Sequence, residues 1–161
     1  MTDRRQSLQQ RVEQFFYRYC ATLNDGHYDK WPDYFDAADS RYEVLSRENL
    51  DLGLPVALMG CYSHGMIIDR VNMLVKKTLT FRKIYFRTMV SNVRTIEAED
   101  DTIQGVANIM VMQTTLEGVS SIYAVGRYDD TLLERDGGFI IRRKQVTLDT
   151  FAIDNMLAVP L

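Results

Sequence analysis

The side chains able to hold a metal or attack a substrate are few. The chain has two histidines, His27 and His64, and two cysteines, Cys20 and Cys61. None of the four belongs to a His-x3-His, Cys-x-His or Cys-x2-Cys pattern, the local spacings that bring ligands to one ion or one iron–sulfur cluster. A two-His-one-carboxylate site would consume both histidines from separate loops, so both read as loop or surface residues. There is no Gly-x-Ser-x-Gly elbow, and Cys20 falls on or beside an apolar helical stripe, where a thiol is buried and inert. Cys61 stands next to Tyr62, Ser63 and His64, so a Cys–His pair is the one nucleophilic alternative, with nothing in the sequence to orient it. Gly26, Gly53 and Gly60 stand singly and make no phosphate loop.

Acid–base chemistry is the stronger enzymatic alternative. Tyr17, Tyr19, Tyr34, Asp36 and Asp39 could serve it if burial moved their pKa values. The ordinary account is packing for the tyrosines and helix-end solvation for the aspartates. On the expected strands, inward positions where a pocket acid would sit carry Thr88, Ala107 and Ile109 instead. Charge gathers elsewhere. Arg87, Arg94, Arg127, Asp129, Asp130, Arg142, Arg143, Lys144 and Asp149 fall on strands expected to be antiparallel neighbours. They read either as cross-strand ion pairs on a solvated face or as a polar protein interface.

The elements that must position these residues follow from periodicity. Leu8, Val12, Phe15, Phe16, Tyr19 and Leu23 recur at three- and four-residue steps, the stripe of a long helix, with Asp3 and Gln6 as its capping box and Asn24-Asp25-Gly26 as its stop. A short helix is expected from Asp29, with Pro32 in its first turn, through Trp31, Tyr34 and Phe35. Residues 41–45 read as a strand and 46–64, with Gly53, Pro55 and Gly60, as a long loop. Helical spacing returns over 66–80 at Ile67, Val71, Leu74 and Thr78. The period then changes to two, giving strands 84–95, 103–115, 119–134 and 139–149. Leu116-Glu117-Gly118 and Asp136-Gly137-Gly138 turn the chain between them. Helices followed by an antiparallel meander make an α+β layer, a cone of curved sheet wrapped on the N-terminal helix. Such a cone resembles the nuclear-transport-factor-2-like fold, which serves isomerases, dehydratases and non-catalytic subunits alike.

Composition bounds the reading. The chain has 161 residues, 46% hydrophobic and 25% charged, with formal net charge −3. At that length about 69% of the unfolded surface is buried on folding, so one domain over residues 1–161 needs no disulfide or metal to hold it. An acidic balance without a basic block excludes nucleic acid as the expected partner. No apolar run approaches a membrane span, and no signal-like block precedes the first helix. The expectation is a cytoplasmic protein with reduced cysteines.

Particular segments resemble one family. Met66-Ile67-Ile68-Asp69-Arg70-Val71 is similar to the "(L/I)xDRV" helix start of the small (β) subunits of aromatic-ring-hydroxylating, Rieske-type dioxygenases. Arg87-Thr88-Met89-Val90-Ser91-Asn92-Val93 resembles their "RHxVSNV" strand, and Gly126-Arg127-Tyr128-Asp129-Asp130-Thr131-Leu132 their "GRRxDxL" strand. Arg142-Arg143-Lys144-Gln145-Val146-Thr147-Leu148-Asp149 resembles their "ARRxVxLD" ending. Trp31-Pro32-Asp33-Tyr34-Phe35 and Tyr42-Glu43-Val44 follow the family's order. The chain departs at Thr88, where the family usually has His, and at Phe139, where it has Trp. The stretch Asp149-Thr150-Phe151 through Asn155-Met156-Leu157 most resembles subunits of oxygenases acting on benzoate-like acids of the salicylate, anthranilate or terephthalate type.

The resemblance implies a structural subunit in aromatic-compound catabolism, without catalytic, cofactor or metal residues of its own. Its partner would be a catalytic α subunit carrying the Rieske [2Fe-2S] cluster and mononuclear iron, in an α3β3 hexamer served by ferredoxin and reductase. The alternatives are a free-standing isomerase or dehydratase, or a small-ligand-binding protein. Arg87, Asn92, Arg127, Asp130, Arg143, Asp149, Leu157 and Leu161 are the candidate subunit-interface or sheet-locking residues. On that reading Arg143→Ala, or loss of residues 157–161, weakens association more than it lowers the melting point of the isolated chain.

Overall fold

The structure, a computed structural model, describes residues 2–54, 56–76, 83–97, 101–150, 153 and 157–161, with residues 2–6 and 97 described by their backbone alone. Pro55, Thr78, Phe151, Asn155, Met156 and the side chains of the expected cap, Asp3 and Gln6, lie outside the described residues. Helix α1 is Thr2–Asn24, and Val12, Phe15, Phe16, Tyr19 and Leu23 of its stripe are buried. It ends where Gly26 takes the left-handed conformation, φ 73°, that a side chain would resist. Tyr28–Tyr34 forms a 3₁₀ helix in place of the expected short α-helix, with Pro32 inside it. Three-residue turns suit a stretch this short, and Pro32 supplies no N–H to continue an α-helical ladder.

Strand β1 is Arg41–Ser46. The expected long loop after it holds two further elements, helix α2 at Arg47–Asp51 and strand β2 at Met59–Cys61. Both are too short to show a period. Ser46 caps α2 by accepting from the Asn49 N–H, while β2 depends on pairing with β1, a tertiary contact. Helix α3, His64–Lys76, buries Ile67 and Val71. Strands β3 (Tyr85–Glu97), β4 (Thr102–Thr114), β5 (Ser120–Arg135) and β6 (Gly138–Leu148) form the expected meander. The sheet order is β2-β1-β6-β5-β4-β3, antiparallel throughout except that β1 lies parallel to β6. The expected mostly antiparallel sheet with helices packed against it is thus the observed one.

Two details explain residues of the quoted motifs. At Gly126, paired with Leu148, a Cβ would overlap the Thr147 carbonyl of the neighbouring strand. Overpacking a well-packed site costs about 1–3 kcal/mol or more, and here the obstacle is backbone with little freedom to yield. Gly126→Ala should therefore lower the melting temperature by several degrees, by about 4–8 °C per kcal/mol in a small domain and less in one this long. Unchanged thermal unfolding would show that β5 and β6 can part there.

At Asn92, φ 52°, strand β3 bulges between Ser91 and Arg94. Strand β3 is also an edge, whose free N–H and C=O groups invite another chain. Helix α1 covers it. The Asn24 amide donates to the Thr88 carbonyl (3.0 Å) and accepts from the Thr88 N–H (2.6 Å). Gln9 donates to the Val93 carbonyl (2.6 Å) and accepts from the Thr95 N–H (3.0 Å). Two side-chain amides stand in for a missing strand.

Candidate functional site

The interior of the cone is where an acid–base site would sit, and it holds a charge pair. Alternation along β5 puts Tyr128, Asp130 and Leu132 on the inward face, and alternation along β6 does the same for Lys144, Val146 and Leu148. Asp130 and Lys144 are register partners, both fully buried, with Nζ donating to Oδ2 at 2.8 Å. Aromatic faces complete the shell of the ammonium. Its nitrogen lies 3.3 Å from the Tyr128 ring centroid, 4.3 Å from Tyr19 and 5.4 Å from Phe16.

Burial pushes the Asp130 carboxyl up to about 6 and the Lys144 ammonium down, while each partner opposes the other's shift. Burial also raises the Tyr19, Tyr42 and Tyr128 hydroxyls and moves the Cys20 thiol to about 11. Tyr19 accepts from Trp31 Nε1 (2.9 Å) and donates to the Leu161 carbonyl (3.0 Å). Tyr42 accepts from the Leu161 N–H (3.0 Å). These groups are buried, and most are tied to one another, although the Tyr128 hydroxyl and Asp130 Oδ1 have no hydrogen-bond partner among the described residues. The arrangement suits structural support.

The other acid–base candidates are dispersed. Tyr17 is exposed, and the Tyr34 hydroxyl shares a 2.7 Å hydrogen bond with Thr22 and donates to the Arg18 carbonyl. Asp36 pairs with Arg135 and Asp39 with Arg142. The Cys–His alternative dissolves similarly: Cys61 is buried in β2, and His64 Nε2 is 3.1 Å from the Pro32 carbonyl. His64 opens α3 as a half-buried residue, whereas His27 is exposed. No group of three or more His, Cys, Asp or Glu among the described residues is placed to hold a metal ion. Among the described residues the donor set does not fit an iron centre or a Rieske cluster.

The eight candidate interface residues separate into three groups. Arg87, Arg127 and Arg143 lie on the convex face. Arg127 pairs with Asp129 (2.9 Å) and Arg143 approaches Glu43 (3.7 Å). Asn92 forms the bulge, and Asp149 meets Arg47 at the end of β6. Asp130 and Leu161 lie in the interior, on the sheet-locking side of that expectation. Asp130 faces the core, because Tyr128 and Leu132 fix the phase of β5. Leu161, 1% exposed, closes over Tyr19 and Tyr42. Leu157 is half-buried, its carbonyl held at 2.9 Å by Arg70, the arginine of the Asp-Arg-Val motif. The inward phase of Asp130 and Lys144 was readable from their apolar neighbours at two-residue steps. Arg41 and Glu43 share a face by strand alternation, whereas the approach of Tyr62 and Arg143 to them had no sequence signal.

Fold and interior together define a nuclear-transport-factor-2-like cone of the non-catalytic kind, with a buried charge pair at its centre. The chain belongs to the ring-hydroxylating beta-subunit family, which it matches over residues 18–155. The Burkholderia cepacia anthranilate 1,2-dioxygenase small subunit is 33% identical over 144 residues, 89% of this chain and 88% of that one. A beta subunit of the terephthalate 1,2-dioxygenase terminal oxygenase component, from a Comamonas species, is 25% identical over 89% of this chain and 92% of its own. Among solved structures, a Novosphingobium aromaticivorans chain assigned as the beta subunit of an aromatic-ring-hydroxylating dioxygenase superposes with TM-score 0.87. It is 32% identical, and the match covers 97% of this chain and 98% of that one.

Proposed function

We propose that this chain is the structural small subunit of a multicomponent Rieske non-haem iron oxygenase that hydroxylates a benzoate-like acid in aromatic-compound catabolism. The observation that carries the reading is the buried Asp130–Lys144 pair: the acid and base of the cone hold each other, so the chain supports chemistry done elsewhere. The 33% identity to an anthranilate 1,2-dioxygenase small subunit supports an amino- or hydroxybenzoate as substrate, ahead of the terephthalate type. On this reading the chain folds as one domain in the cytoplasm and joins a catalytic α subunit in an α3β3 hexamer. That α subunit carries the Rieske cluster and iron, and ferredoxin and reductase supply electrons.

Co-expression with the large subunit tests it. The expected result is a complex of α3β3 mass that turns over anthranilate or salicylate, beside an isolated chain that is colourless and inactive. Stoichiometric iron or sulfide in the isolated, folded chain would overturn the assignment. So would isomerase or dehydratase turnover by the chain alone.

A further inference from the structure

The convex end of the sheet carries a charge arrangement that hydroxylation chemistry does not use. Arg41 and Arg143 are register partners on the parallel strands β1 and β6, so their side chains leave the same face. Both reach for one carboxylate. Arg41 Nη2 lies 2.7 Å from Glu43 Oε1, and Arg143 Nη2 lies 3.7 Å from Glu43 Oε2. The Glu43 side chain is only 9% exposed, whereas those of Arg41 and Arg143 are 48% and 53% exposed. The Arg41 guanidinium lies 4.8 Å from the centroid of the Tyr62 ring, which folds back over Gly60.

Counting this face across β1, β6 and β5, three guanidiniums (Arg41, Arg143, Arg127) meet two carboxylates (Glu43, Asp129). The flanking pairs Arg142–Asp39 and Arg47–Asp149 are neutral. One positive charge is therefore in excess, on a chain whose net charge is −3. The chain leading into β2 is apolar and exposed at Leu52, Leu54, Val56 and Leu58.

We propose that Arg41, Arg143 and Tyr62 form a docking point for a carboxylate side chain of the large subunit, with the exposed Leu52, Leu54, Val56 and Leu58 packing beside it. This rests on the reading that the chain assembles with such a subunit. Charge complementarity selects the occupant. A forked guanidinium pair sharing one buried carboxylate has donors left over in the geometry that a second carboxylate accepts. An apolar border would keep water from that contact.

The test is dissociation of the purified complex on dilution, followed by sedimentation at low and high salt. The variants are Arg41→Ala, Arg143→Ala, Arg143→Lys and Glu43→Gln. Each alanine variant should raise Kd at least about tenfold and flatten its salt dependence, as truncating one partner of a desolvated charge pair does. Arg143→Lys should keep most of the salt dependence. Glu43→Gln, which frees both guanidiniums, should bind at least as tightly as wild type.

A role confined to the fold predicts the reverse, with Glu43→Gln weakening the complex along with the alanines and lowering the melting point of the isolated chain. That pattern, or alanine variants that bind like wild type, overturns the docking point and leaves the subunit assignment standing. Failure of the wild-type chain to bind overturns both.

Discussion

Replacing Lys144 by Met should destabilise the chain by about 3–5 kcal/mol, because the buried Asp130 carboxylate is left without its partner. Asp130→Val should cost a similar amount by stranding the ammonium among the rings of Phe16, Tyr19 and Tyr128. The double variant Asp130→Val, Lys144→Met should recover most of the loss, since a buried pair exchanged for apolar groups is often neutral.

The deficit of Lys144→Met should also depend on pH. Burial already lifts the Asp130 carboxyl to about 6, and losing Lys144 removes the interaction that held it lower. A carboxyl whose pKa is higher folded than unfolded adds stability at low pH and loses it as pH rises through the folded value. Lys144→Met should therefore lie closer to wild type at about pH 5 than at about pH 8. Urea unfolding of the four proteins at both pH values makes the measurement. Additive single effects would show that the two charges do not depend on each other.

Removal of residues 157–161 should prevent the isolated chain from folding stably. Ala158, Val159 and Leu161 are buried, and burying one large aliphatic side chain contributes about 1.5–3 kcal/mol. The segment also satisfies Tyr42 and Tyr19 through the Leu161 backbone and Arg70 through the Leu157 carbonyl. Stranding a buried polar group costs about 1–3 kcal/mol. The combined loss, on the order of 5 kcal/mol, reaches the lower end of what a whole domain possesses.

The burial of these residues in the core favours a loss of fold stability over the partition in which the tail serves association more than the melting point. Soluble yield and thermal unfolding of the truncated chain decide the matter. A melting point within a few degrees of wild type would return the tail to a partner surface.

Where a segment was long enough to repeat its period, its place in the fold was readable. Helix α1 showed its buried face through Val12, Phe15, Phe16 and Tyr19, and the strands of the meander showed their turns through Gly118 and Gly137. Elements α2 and β2 were not readable, because five and three residues complete too little of any repeat. The candidate site divides in the same way. Alternation separates Arg127 from Asp130, because Tyr128 and Leu132 set the inward phase of β5, but which of the charged residues pair across strands is not legible in spacing.

The sequence by itself determined the order of helices and strands, the sparse set of metal-ligating side chains and the family resemblance, because these depend on residue type and near-neighbour spacing. Only the tertiary structure decided which charges meet. Lys144 with Asp130, Glu43 with Arg143, and Leu161 between Tyr19 and Tyr42 all join residues from different elements. Their encounters follow from the parallel placement of β1 beside β6 and from strand register. A shift of one residue would turn every side chain of a strand to the other face.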